Sequence, residues 1–453
     1  MIIKNSSDLS AKGNVQGRRV VLDIAENALQ QVNSYNLIRQ FVKLEDKLRI
    51  GTMAYDLEKV NGIYVVGGGK QVTYVAAALE EVLEDRIRDG VVVEKKGSGC
   101  RTKRIRVIEG GHPVPDSGSV KGAEEIVNIA RKATAKDLAI VGVTGGCTSL
   151  TMLPPKSLTL QDVAEVSELL LSSGASIEHM NAVRKHLSQL GGGKLSLLMQ
   201  PAEIVSLIAM DEVAGLPWGP TVPDTTTFSD AINVLRKFDL WDKIPKSVRQ
   251  YLRRADALEE TPKCTDFERK NVKVHNLIFA ENTMLCRAAE TRARELELNS
   301  ITLSTVMEGE AKDVGLVLAS IAKEIEKNSR PFKPPCIIIV GGETTVTIVG
   351  EHGEGGRNQE LVLSAASRIV GSENIVIASM GTDGTDGPTD IAGAIVDGFT
   401  AERAKSSTVD LFESLSRHDS SGAFKTLKDA IYTNNTGTNL MDLIIVYIGH
   451  QMK

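Results

Sequence analysis

Short runs of β-branched residues alternate along this chain with longer stretches whose apolar positions recur every three to four residues. The first pattern predicts buried strands and the second amphipathic helices. Strands are predicted at Ile63–Val66, Ile105–Glu109, Leu138–Val143, Ile204–Met210, Val272–Ala280, Ile301–Val306, Cys336–Val340, Ile375–Met380 and Leu443–Ile448. Helices are predicted at Leu22–Val32, Val72–Arg88, Ser119–Ala133, Leu160–Ser173, Ile177–Leu190, Asn282–Leu296, Ala311–Lys327, Gln359–Val370 and Ala401–Ser416. Ser117 is expected to cap the third of these. Strands separated by helices of this length imply parallel α/β layers. The polar break Ala257–Lys263 and the proline-rich Arg330–Pro335 punctuate the pattern. The expected fold is α/β, with two α/β/α layered domains, the first Rossmann-like, over residues 1–265 and 266–453.

Composition narrows the class. The chain has 453 residues, 42% hydrophobic and 25% charged, which is ordinary globular usage. A net charge of -5, 4% aromatics and no dense Lys/Arg stripe exclude a nucleic-acid binder. No apolar run approaches the length of a membrane span, and the N-terminal residues lack a secretory apolar region. The five cysteines have no CxxC spacing and read as reduced thiols, so a cytoplasmic protein is expected. The histidines form no HExxH pattern.

Candidate chemistry gathers at the ends of strands. Residues 381–390 place Asp383, Asp386 and Asp390 among glycines and threonines directly after the strand Ile375–Met380. A core has little use for such a segment. It suits a divalent cation with hard oxygen ligands, a proton-transfer site or a solvated turn. Three other strands run into glycine turns: Gly67-Gly68-Gly69-Lys70, Thr144-Gly145-Gly146-Cys147-Thr148-Ser149, and Gly341-Gly342-Glu343. Such turns let backbone N–H groups approach an anion, and together with the acidic loop they favour phosphate handling. Neither GxxxxGK[ST] nor GxGxxG is present, so a phosphotransferase outside the P-loop and protein-kinase classes is expected. Lys70 can hold a phosphate as a point charge. Arg357, beside Gly355-Gly356, suits bidentate binding of a carboxylate or phosphate. Asn181, Arg184, Lys185 and Ser188 share one side of the helix Ile177–Leu190, either as a solvated basic face or as the wall of a pocket for a small acid. Asp211 and Glu212 follow the strand Ile204–Met210, His112 lies in a proline-stiffened loop, and Asn435 lies in the polar loop Thr433–Asn439.

Taken in order, these segments resemble the glycerate kinases whose C-terminal part is called the MOFRL domain. The resemblance rests on Val66–Lys70, Glu109–Asp116, Asn181–Ser188, Gly219–Asp224, Gly341–Thr345, Gly356–Glu360, Gly381–Pro388 and Asn434–Asn439, and it spans about residues 20–450. It implies ATP- and Mg²⁺-dependent phosphorylation of D-glycerate, giving 2-phosphoglycerate and ADP in an interdomain active-site cleft. The MOFRL region would cover about residues 335–448. By motif match, Lys70, Arg357, Asp211 and Asp383 would be catalytic. Asp383 and Asp386 would hold the metal. Gly67, Gly68, Gly69, Gly145, Gly146, Ser149, Asn181, Arg184, Lys185, Glu343, Asn358 and Asn435 would bind substrate or phosphate. Two departures stand out: Cys147 replaces a small residue in its turn, and Trp218 occupies a position where the family has a small residue. An NAD(P)H-dependent hydroxypyruvate reductase and a non-catalytic sugar-acid or nucleotide-binding protein are the alternatives, and a homodimer is left open.

Overall fold

The structure is a computed structural model that describes residues 1–97, 99–210, 218–348 and 350–450. The chain divides into two compact units. One comprises Ser34–Met210 with the described residues up to Phe279. The other comprises Met1–Asn33 with the described residues from Ala280 onward.

In the first unit, six strands order as β3-β2-β1-β4-β5-β6. They are β1 (Gly62–Gly68), β2 (Ile87–Lys95), β3 (Arg106–Gly110), β4 (Asp137–Val143), β5 (Glu203–Ala209) and β6 (Val274–Ala280). The pairings β1–β2, β1–β4, β2–β3 and β4–β5 are parallel. β1 is buried along its whole length, as expected of a parallel strand with both faces covered. Val66, Val91, Val93, Val141 and Val143 pack against Ala123, Ile126 and Ile129 of the helix Ser117–Ala130. The helix Val72–Leu83 also packs on β1, β2 and β4. Each large apolar side chain buried this way stabilises by roughly 1.5–3 kcal/mol. A separate helical layer, formed by Leu160–Leu171, Ile177–His186, Phe228–Lys237 and Lys246–Arg254, has its own core around Val163, Val183, Leu235 and Leu252.

Several expected boundaries move. The helix predicted to run to Arg88 ends at Leu83, and the unpredicted strand β2 begins at Ile87. Ser117 does not cap its helix. Asp116 does, in a reciprocal box with Ser119. The stretch Ala401–Ser416 breaks into Thr400–Ser406 and Leu411–Ser416, because Asp410 starts a new helix by accepting from Phe412 N and Glu413 N.

The second sheet orders as β7-β8-β12-β9-β10-β11: β7 (Asn299–Met307), β8 (Cys336–Gly342), β9 (Ile375–Gly381), β10 (Gly393–Asp397), β11 (Ala430–Ile431) and β12 (Asp442–Ile448). It is not the parallel layer expected. Only β7–β8 is parallel, and the last strand inserts antiparallel between β8 and β9. Paired on both sides and covered on both faces, β12 needs an unbroken apolar run, which Leu443–Ile448 supplies. Helices Ala311–Asn328 and Arg357–Arg368 cover one face of this sheet. Helices Val15–Gln31 and Asn282–Glu295 pack on β8, β9 and β12 and against each other. The N-terminal helix therefore belongs with the second unit rather than with residues 34–265 as expected. Its Gly17 allows the approach, since a Cβ there would lie 2.7 Å from Val376. Its Arg18 is fully buried and paired with Asp397 and Asp429. Among the described residues, no helix is long and apolar enough to cross a membrane.

Candidate active site

In the first unit, the turns after β1 and β4 interlock. Lys70 N donates to Gly145 O at 2.7 Å, Gly69 N to Val93 O at 3.0 Å, and Thr144 N to Gly68 O at 3.2 Å. Glycine is required here. A Cβ on Gly67 would lie 2.2 Å from Gly142 O, and Gly69 sits at φ +131 against Thr144. Gly146, at φ +80, leaves room for the ring of His112. Ser149 donates from Oγ to Gly146 O and so closes its own turn. Lys70 is half-buried at the mouth of this arrangement.

The helix that follows Lys70 does not offer its N-terminus to a phosphate. The carboxylate of Glu94, fully buried at the end of β2, accepts from Gln71 N, Thr73 N and Thr73 Oγ1. Burial raises the pKa of this carboxyl, against those donors. Glu94 was not among the predicted site residues. Its only signal in the sequence is an acid ending the run Val91–Val93.

The polar side of the helix Ile177–His186 is buried, not solvated. Asn181, Arg184 and Ser188 are each less than a tenth exposed. Lys185 pairs with Asp224 at 3.2 Å, and that charge, with donors from Thr226, holds Asp224 below the usual carboxylate range despite its burial. Lys194, which opens the short helix Lys194–Leu198, donates to Ser188 O, and burial lowers its pKa to about 8. Cys147, Thr148, Lys185, Ser188, Trp218 and Gly219 line one cavity. Three polar groups of this region have no hydrogen-bond partner among the described residues: Arg184 Nε and Nη2, Thr144 Oγ1 and Trp218 Nε1.

In the second unit, the first turn of the helix Arg357–Arg368 is the centre of a buried polar network. Arg357 donates from Nε and Nη2 to the two oxygens of Asp442, at 2.7 and 3.0 Å, and its Nη1 lies 2.8 Å from Glu343. Burial opposes its charge, but Asp442 and then Glu343 outweigh that and raise its pKa. Asn358 reaches Asp386 and Asp442, and accepts from Ser379. Glu360 meets His418 at 2.6 Å. The acidic loop is partly core: Thr382, Asp386 and Thr389 are buried. Asp386 Oδ1 accepts from Asn358 N and Nδ2, and Oδ2 from Gln359 N and Nε2. Four N–H donors converge on its two oxygens, so Asp386 clasps the helix N-terminus. Asp383 is half-buried and accepts from Thr385 N and Oγ1. Asn435 accepts from Gly437 N and shapes its own loop. Among the described residues, no group of three His, Cys, Asp or Glu side chains is placed to hold a metal. Asp211 and Glu212 lie outside the described residues. Asp442 was missed in the sequence, where it is only the acid opening the last apolar run.

Comparison with known proteins places this geometry. The family described as "Domain of unknown function (DUF4147)" matches residues 20–253, and the MOFRL family matches residues 336–442. The chain is 39% identical to the glycerate 2-kinase of Pyrococcus horikoshii, over 95% of this chain and 97% of that one. It is 39% identical to the D-glycerate 2-kinase of Thermotoga maritima, over 84% and 90%. The crystal structure of glycerate kinase from Thermotoga maritima superposes with a TM-score of 0.80 at 35% identity, covering 95% of this chain and 99% of that one. The fold and its glycine turns define a two-unit α/β kinase. The chain belongs to the glycerate kinases of the MOFRL type.

Proposed function

We propose that this protein transfers the γ-phosphoryl group of ATP to the 2-hydroxyl of D-glycerate, giving 2-phosphoglycerate and ADP. Beyond family membership, the observation that carries the reading is the interlocked pair of glycine turns at the end of β1 and β4. Ligands of open α/β sheets bind beyond the carboxyl ends of the strands. Phosphoryl transfer asks a protein mainly for positioning and charge stabilisation. Lys70 neutralises charge on the transferring group, Arg357 contributes a second positive charge, and Asp211 takes the hydroxyl proton. Mg²⁺, when bound, would offset phosphate charge. Asp383 fits it, together with water and phosphate oxygens, because Mg²⁺ needs only one or two protein carboxylates. The dinucleotide reading is disfavoured by Glu94, whose carboxylate fills the place at the helix N-terminus that a pyrophosphate would take.

A clamped carboxylate fixes the adjacent C2 hydroxyl more tightly than the C3 hydroxyl, which keeps one more rotatable bond, so near-attack geometry favours C2. The test is a coupled assay with ATP and D-glycerate. Enolase alone should consume the product. A signal that appears only after a mutase is added, or the 3-isomer in phosphorus NMR, would reject the regiochemistry. No ADP release at all would reject the kinase.

A further inference from the structure

Arg184 and Arg357 present the same edge of the guanidinium in different ways. Arg357 uses its Nε–Nη2 edge to take a carboxylate side-on, that of Asp442. In Arg184 that same edge, Nε and Nη2, is buried and has no partner among the described residues. Arg184 is 6% exposed, and burial lowers its pKa, with no compensating charge beside it among the described residues. Its neighbour Lys185 is already matched by Asp224. A buried cation without a counter-charge is unfavourable, and the Nε–Nη2 edge fits the two oxygens of one carboxylate. Lys185 and Ser188, one and four residues further along, line the cavity with Cys147 and Thr148 of the second glycine turn. The unpartnered Thr144 Oγ1 and Trp218 Nε1 belong to the same region.

We infer that Arg184 is the receptor for the carboxylate of the three-carbon acid, and that the protein holds this guanidinium at a cost in stability that the bound carboxylate offsets. This rests on the glycerate reading above. It selects Arg184 over Arg357 as the carboxylate clamp, because the Nε–Nη2 edge of Arg357 already holds Asp442.

The experiment compares wild type, Arg184→Leu and Arg184→Lys in thermal denaturation, with and without D-glycerate and with ADP, followed by steady-state kinetics. Without ligand, Arg184→Leu should melt at or above the wild-type temperature, since it removes an unpaired buried charge. The upward shift that glycerate gives wild type should vanish in it, while the ADP shift persists. KM for glycerate should rise by about 10²-fold, with kcat much less affected. Arg184→Lys keeps the charge but not the fork, so KM should rise by about tenfold with wild-type melting. A large loss of melting temperature in Arg184→Leu overturns the stability half. Should that variant not fold, Arg184→Lys decides the binding half. An unchanged glycerate shift, or loss of the ADP shift instead, overturns the assignment alone. A wild-type protein that ignores glycerate overturns the substrate reading and this inference with it.

Discussion

The polar groups around Arg357 and those around Arg184 differ in how they are satisfied. Around Arg357, two carboxylates, Asp442 and Glu343, share one guanidinium, and Asp386 has four N–H donors. Around Arg184, the guanidinium edge, a threonine hydroxyl and an indole N–H have no partner among the described residues. A fully satisfied network rigidifies and is costly to break, whereas an unsatisfied buried group marks a place where something else must supply the partner. Two arginines that look equivalent as anion binders in the sequence therefore differ in the structure: one is paired with Asp442 and Glu343, and the other is the one we infer to await a ligand.

The sharpest way to break this contrast is Arg357→Ala. It strands Asp442, whose side chain is 3% exposed, so it should cost about 3 kcal/mol or more in urea denaturation as well as about 10²-fold in kcat. A variant as stable as wild type would erase the distinction between the two arginines. Lys70→Ala should match the loss in kcat, about 10²-fold, but leave stability within about 0.5 kcal/mol. Comparing urea midpoints with turnover separates the two effects. The next effect is one of pH. Burial first, then the charge of Asp442, push the Asp386 carboxyl up to about 6, against its N–H donors. The folded chain thus keeps a proton that the unfolded chain releases near the usual carboxylate value. Its contribution to stability is complete below about pH 4 and is lost as pH rises through about 6, on the order of 3 kcal/mol. Asp386→Asn should flatten that part of the stability–pH curve. Parallel curves for the two proteins would show that Asp386 does not titrate there. The smallest structural effect is expected for Asp383→Asn, within about 0.5 kcal/mol of wild type, with a raised Mg²⁺ requirement seen by titrating the metal in the kinase assay.

Much of the frame was legible because it is local. All nine predicted strands are present, since a continuous apolar run bounded by glycine or polar residues signals a buried strand wherever it falls. β2 was hidden because Leu83–Arg88 continues the helical text of Val72–Leu83 with charged residues. The helix Phe228–Lys237 carried a readable signal, Thr227 with Asp230 at its start, that went unused. The antiparallel insertion of β12 was not legible, because strand order depends on pairing between distant segments. The same holds at the sites. Lys70 and Arg357 stand out beside glycines, but Glu94 and Asp442 acquire their roles only by reaching partners 21 and 85 residues away. Asp386 is a similar case: nothing nearby in the sequence announces that the helix starting at Arg357 holds it with four N–H donors.

The buried Arg18 imposes an order on biosynthesis. Its partners lie 379 and 411 residues downstream, in the last strands and turns of the chain. At about 5–20 residues per second, the ribosome leaves this helix without its acidic partners for roughly 20 to 80 s. Through that interval the arginine has no native counter-charge, so this helix completes its docking only after the last turns of the chain have emerged.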